Sequence, residues 1–286
     1  MTETEQTEKP QIQTTSTATP TLTINRQDAE IHLAILSNRQ DYWIFQKNFA
    51  TKQSQVRVYQ KNRILDAAQQ ANLSGYSFWI SLNQKTGDGN INVTHIADYW
   101  IEIDARPSGV TDRSATPQEL ATAKEQTETL KTHFERAYGA KCFIACSGNG
   151  FHLHFPLPVT EIIESQRLSV NTKIRLFTEQ IVNATSVQVD TDTDLNRKTT
   201  LIGSYNVKLP SHPLKTYWLP DCLPSDVYGA IDYSRTQNQK LLQVIMDTIE
   251  KTVQTNKSES TTFDRKNLRP CILEALKKQL TGEMVT

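Results

Sequence analysis

The sequence predicts an α+β fold on three observations: short runs rich in aromatic and β-branched residues that read as strands, amphipathic runs with apolar residues at helical spacing, and glycine-bearing turns between them. At 286 residues, 37% of them hydrophobic, the chain can bury a sizeable core as one large domain with appendages. Nothing approaches the roughly 18 to 20 consecutive apolar residues of a membrane span. The N-terminus lacks the basic-then-apolar profile of a secretory signal, and four cysteines are too few for a disulfide scaffold at this length. The expectation is a cytoplasmic protein with no membrane partner. The 31 Lys and Arg balance the 31 Asp and Glu, which excludes a histone-like binder held by charge alone. Segregated acidic and basic patches remain compatible with that sum.

Taken in order, residues 1–24 are Thr, Gln and Glu with almost nothing to bury, the composition of a disordered lead-in. RQDAEIHLAIL then places Ile31, Ala34 and Ile35 at helical spacing. VRVY (56–59), the amphipathic KNRILDAAQQAN and YSFWISLN (76–83) read as strand, helix and strand, a small α/β unit. Gly87, Gly89 and Asn90 mark a turn before ADYWIEIDA (97–105), a strand by its aromatic and β-branched content. The clearest helix follows: Thr116 as N-cap, Pro117 in the first position, Glu119 closing a capping box, and an apolar stripe of Leu120, Ala123, Leu130, Phe134 and Ala137 that stops at Gly139. KCFIAC and FHLHFPL read as strands around the turn Ser147-Gly148-Asn149-Gly150, and a helix with Ile174, Phe177 and Ile181 on one face runs to Ala184. SVQVD and RKTTLIGSYNVK read as further strands. LLQVIMDTIEKTV predicts a helix, QTNKSESTT a polar linker, and LRPCILEALKKQL the opening of a longer helical domain.

Two features carry chemistry. Glu102 and Asp104 lie two apart on a strand, so their side chains share a face with Cα atoms about 7 Å apart. Two acids leaving a hydrophobic strand together are costly without a cation between them, and a pair of divalent ions suits both the carboxylates and in-line phosphoryl displacement. A solvent-facing strand with both acids hydrated is the bland alternative. Asp190, preceded by the alternating Val187 and Val189, adds a third carboxylate at a strand tip. Asp192 and Asp194 lack the glycine and later glutamate of a calcium loop and read as loop.

In SGNGFHLHFPL, Gly148 and Gly150 permit a tight turn, and the strand after it puts His152 and His154 on one face. Backbone amides beside His152 suit a phosphate cradle, whereas for His154 a structural role stands level with a functional one. Cys142 and Cys146 on a strand are about 13 Å apart, too far to share a tetrahedral ion with these histidines, so free buried thiols are expected. Arg197, Lys198 and Lys208 flank the turn Gly203-Ser204-Tyr205-Asn206 and suit phosphate, though singly each is an ordinary surface cation.

The order WIEIDA, helix, strand and SGNGFH, helix, VQVD, RKTTLIGSYNVK resembles the archaeo-eukaryotic primase superfamily, most of all the primase-polymerases of plasmids and viruses, over residues 30–235. The resemblance implies an RRM-like antiparallel catalytic sheet packed with helices plus a smaller N-terminal α/β unit, a catalytic domain over 25–235, and primer synthesis and extension on single-stranded DNA. It implies two Mg²⁺ or Mn²⁺ ions on Glu102, Asp104 and Asp190, and an NTP or dNTP held by Ser147, Gly148, Gly150, His152, Arg197 and Lys208. Glu102 stands where Asp is more usual, and Thr200 where many relatives carry a second Arg. The tail LRPCILEALKKQLTGE resembles the start of the iron-sulfur domain of primase large subunits, with Cys271 at the first ligand position. No cysteine follows it, so no cluster is expected. Residues 236–286 then read as a helix, a linker and the truncated start of a C-terminal domain, which, or a helicase, would be a partner. Two other readings stay open: a rolling-circle replication endonuclease using His152 and His154 with Tyr228 or Tyr233 as nucleophile, and a catalytically silent nucleic-acid-binding module.

Overall fold

The computed structural model describes residues 22–258, apart from Asn38 and Asp192. The lead-in up to Thr21 and the Cys271 segment lie outside the described residues. In chain order the elements are α1 (Arg26–Ile35), β1 (Asp41–Asn48), β2 (Ser54–Gln60), α2 (Ile64–Leu73), β3 (Tyr76–Ser81), β4 (Gln84–Lys85), β5 (Val93–Asp104) and α3 (Pro117–Tyr138). There follow β6 (Phe143–Cys146), β7 (Gly150–Glu161), α4 (Arg167–Thr185), β8 (Lys198–Thr200), β9 (Tyr205–Asn206), β10 (Leu214–Lys215), β11 (Tyr217–Trp218), α5 (Val227–Gln237) and α6 (Gln239–Ser258). The chain divides into two compact units, Met1–Met246 and Asp247–Thr286. Of the second, only the end of α6 is described. Among the described residues no helix is long and apolar enough to cross a membrane.

Two antiparallel sheets organise the first unit. One has the order β2-β1-β3-β8 and the other β11-β6-β7-β5-β4. On β5 and β7 the residues Tyr99, Ile101, Ile103, Leu153 and Phe155 form one face and pack with Leu130 and Phe134 of α3 and Ile174, Phe177 and Ile181 of α4. The Phe134 and Phe155 rings meet at 4.4 Å. On the opposite face, Phe143, Ala145 and Trp218 pack with Ile31, Ala34 and Ile35 of α1 and Ile231 of α5. Helix α1 is buried on two sides, because its Ala29 and Leu33 belong to a further core with Tyr42, Ile44, Phe78 and Trp100. This α+β architecture is the one the sequence predicts.

The capping box at α3 forms as expected, with the Glu119 amide donating to Thr116 Oγ1 at 3.2 Å and the Thr116 amide donating to Glu119 at 2.7 Å. Its stripe differs at two places: Ala137 is exposed, and Thr127 is buried by donating its hydroxyl to the Ala123 carbonyl at 2.7 Å. Strand β1 was not anticipated, although its alternation of buried Tyr42, Ile44 and Gln46 with half-exposed Trp43, Phe45 and Lys47 is the period of a strand. SVQVD is not a strand. Helix α4 ends with Ser186 at φ 58°, a sharp exit, and residues 186–190 meet β5 through the backbone bond from the Asp190 amide to the Glu102 carbonyl, 3.2 Å. Helix α6 runs on to Ser258, through the start of the expected polar linker. The cysteines among the described residues, Cys142, Cys146 and Cys222, are free thiols, and burial pushes that of Cys142 up.

Candidate active site

The β5/β7 register pairs Glu102 with His152, Asp104 with Gly150 and Trp100 with His154, which puts the acids and histidines on the face away from α3 and α4. His152 is buried. Its Nε2 lies 3.6 Å from Glu102 Oε1, its Nδ1 lies 3.2 Å from Thr199 Oγ1 on β8, and its ring meets Trp100 at 5.0 Å. Arg197, just before β8, donates from Nη2 to Glu102 Oε2 at 3.2 Å and also to Asp190 Oδ2. Its guanidinium stands over the Trp100 ring at 5.0 Å. The folded chain therefore brings Glu102, Asp190, His152 and Arg197 into one cluster. Asp104 shares their face but is exposed and clamped elsewhere: Arg106 donates from Nε to Oδ1 at 3.1 Å and from Nη2 to Oδ2 at 2.8 Å.

Burial alone would push the Glu102 carboxyl up. A hydrogen bond with His152 and electrostatic attraction to His152, Lys208 and Arg197 outweigh burial and hold it at about 2, so Glu102 is ionised at neutral pH. Among the described residues, no three His, Cys, Asp or Glu side chains stand close enough together to hold a metal ion. Arginines occupy the carboxylates instead: Arg197 bridges two of them and Arg106 holds the third. A guanidinium seated between Glu102 and Asp190 shows that the position suits a cation, and an all-oxygen donor set fits Mg²⁺ or Mn²⁺.

The glycine turn is built by close approach. The Ser147 amide donates to the Gly150 carbonyl at 2.9 Å. A Cβ on Gly150 would lie 2.0 Å from the Ile103 carbonyl oxygen, and Gly148 has φ 92° with Leu214 of β10 against it. Asn149, a turn residue to which the sequence assigns no role, ties the turn to the segment after β5, its side-chain oxygen accepting from the Ala115 amide at 2.9 Å. Asn206 of β9 donates from its side chain to the Ser147 carbonyl at 3.4 Å and accepts from the Lys208 amide at 3.1 Å. The glycine turn and the Lys208 turn are thereby one assembly. The Asp194 carbonyl accepts from the Arg197 amide at 3.1 Å. Burial raises the Asp194 carboxyl, opposed by a hydrogen bond with Asn90.

His154 has a different setting. It is fully buried, with Nδ1 2.7 Å from Asp98 Oδ2, and its ring lies 4.9 Å from His32 and 5.5 Å from Trp218. Burial pushes Asp98 well above the carboxylate range and His154 well below the usual imidazole range, so burial disfavours the charged form of each. His32 accepts at Nδ1 from the Ile202 amide, 3.0 Å, and burial lowers it likewise. His152 and His154 thus do not present to a common solvent-facing ion, and Tyr228 and Tyr233 are exposed on α5. Asp98 could have been suspected from its place two residues before Trp100 on the same face; His32 is hidden in an apolar helix and gives no signal.

No protein-family model matches the sequence, and no curated protein is similar to it in sequence. Among solved structures, the chain is similar to the catalytic domain of primase RepB′ in complex with initiator DNA, at TM-score 0.48 and 9% identity over 82% of this chain and 98% of that one. It is also similar to the AEP domain of the cyanophage S-2L primase-polymerase, at 0.46 and 12% over 74% and 98%. A structure of primase RepB′ matches at 0.43 and 10%, over 81% and 68%.

Proposed function

We propose that residues 25–235 are the catalytic domain of a template-dependent DNA primase-polymerase of the archaeo-eukaryotic type, serving plasmid or viral replication. One observation carries the reading: Glu102 and Arg197, 95 residues apart in sequence, meet in the fold with Asp190 and His152, beside a glycine turn. Nucleotidyl transfer needs fixed anionic ligands next to fixed donors for the triphosphate, and this cluster offers both. Divalent ions held by Glu102, Asp104 and Asp190 would supply Lewis-acid activation of a 3′-hydroxyl and neutralise the departing pyrophosphate. His152, braced between Thr199 and Glu102, orients the incoming nucleotide's phosphates. Arg197 and Lys208 bring positive charge to the same phosphates, while Ser147, Gly148 and Gly150 let the backbone approach them closely. Single-stranded DNA is the template, and an NTP or dNTP the substrate.

The test is incubation of the full chain with unprimed and primed single-stranded DNA, Mg²⁺ or Mn²⁺, and labelled NTP or dNTP, each alone. Template-dependent products longer than the primer are expected. A covalent 5′-tyrosyl adduct without nucleotide consumption would overturn the reading in favour of an endonuclease.

A further inference from the structure

The outer face of the β2-β1-β3-β8 sheet carries aromatic side chains that belong to no core. Strand pairing puts Phe45 between Val56 and Trp79, with Trp43 beside Val58. Val56 and Val58 are 43% and 48% exposed, and Trp43, Phe45, Phe49 and Trp79 take part in none of the three hydrophobic clusters. These rings pack on one another instead, Phe45 on Trp79 at 5.5 Å and Phe49 on Trp79 at 6.0 Å. Half-exposed aromatics grouped on one sheet face mark a binding surface rather than a scattered apolar residue.

Lysines are interleaved with the rings. Lys47 Nζ stands 4.9 Å from the Phe49 ring, Lys198 Nζ 5.8 Å from Phe45, and Lys85 Nζ 5.1 Å from Trp43. The Lys85 side chain is fully buried and, with Lys198, bonds the one carboxylate of Asp88 at 3.0 and 3.2 Å, so the ammonium groups that reach solvent on this face are those of Lys47 and Lys198. The acid of the outer row of β1, Asp41, lies at the end away from Lys47. Strand β8 joins this face to the active site. Its Thr199 contacts His152 and Arg197 precedes it, while Lys198 and Thr200 pair with Ser81 and Trp79 on the outer side.

Rings to stack bases and ammonium groups to meet phosphates are the chemistry of a single-strand platform; a duplex, with its bases already stacked, offers only its phosphates. We propose that this face binds single-stranded nucleic acid and leads it along β8 to the carboxylate cluster. The choice of occupant rests on the nucleotidyl-transfer reading.

The experiment is fluorescence anisotropy of labelled oligothymidylate with the full chain, with circular dichroism as the folding check. Phe45→Leu and Trp79→Leu should each weaken binding about tenfold. Lys47→Gln, on the exposed side of the sheet, should reduce the slope of log affinity against log salt by about 0.7, and it decides the matter if the aromatic variants do not fold. Wild-type affinity and salt slope in folded variants, or no oligothymidylate binding by the wild type, would overturn the platform. So would a loss of self-association in Phe45→Leu with DNA binding unchanged, which would mark a protein contact. Nucleotide incorporation separates the two proposals. Binding that is lost in Phe45→Leu, in a protein that incorporates nothing, keeps the platform and defeats the enzyme; incorporation with variant-independent binding does the reverse.

Discussion

His152 and His154 are next-but-one neighbours on a single strand and each meets a carboxylate, yet the two carboxyls are pushed in opposite directions. At the open end, Glu102 faces His152 under Arg197 and within the field of Lys208, and is held ionised. Further in, the Asp98 and His154 side chains are both fully buried, and burial disfavours the charge on each. The residue types are alike; depth and neighbouring cations decide. An ionised carboxylate is useful where a metal or phosphate has to be managed, while an uncharged hydrogen-bonded pair is a tolerable way to fill a core.

The comparison breaks most readily at the buried pair. Asp98→Ala removes one partner of a buried hydrogen bond and leaves the other unsatisfied, which should cost about 1–3 kcal/mol of stability in urea unfolding. At the open pair, Glu102→Gln should lower nucleotide incorporation by about 10²–10³-fold, with circular dichroism unchanged. The same variant should alter the acid limb of stability. Because the folded value of Glu102, about 2, lies below its ordinary 4.5, its contribution is present above pH 4.5 and is lost as pH falls to 2. That contribution is about 3 kcal/mol, and Glu102→Gln should flatten this part of the urea midpoint against pH. The smallest effect is Asp98→Asn, about 1 kcal/mol, since an amide can donate to His154 as the protonated carboxyl does. A loss as large as that of Asp98→Ala would mean that the buried pair is charged.

Part of this cluster was legible in the sequence because its pieces have local signatures, carboxylates two apart on an aromatic-rich strand and glycines at a sharp turn, just as Thr116 to Glu119 marked the start of α3. Asp190 was legible as a residue but not in its setting, because Val187 and Val189 alternate like a strand while after the exit from α4 the segment forms no strand and meets β5 through the Asp190 amide. Arg106 could not be anticipated as the clamp on Asp104, since a surface arginine after a strand carries no pattern. The Asp98–His154–His32 group was illegible for a different reason. Its partners come from β5, β7 and α1, and only the folded sheet shows which polar atoms are enclosed together. Strand β1 was overlooked although its period was present, and with it the aromatic outer face.

The central claim is that the carboxylates at the end of the β5/β7 ladder form a nucleotidyl-transfer centre. It is tested most directly by comparing the wild type with the double variant Asp104→Ala and Asp190→Ala for nucleotide incorporation and for single-stranded DNA binding side by side. The account predicts that incorporation is abolished while the DNA affinity stays within about twofold, since stacking and phosphate contacts lie elsewhere. Undiminished incorporation by the double variant would contradict it.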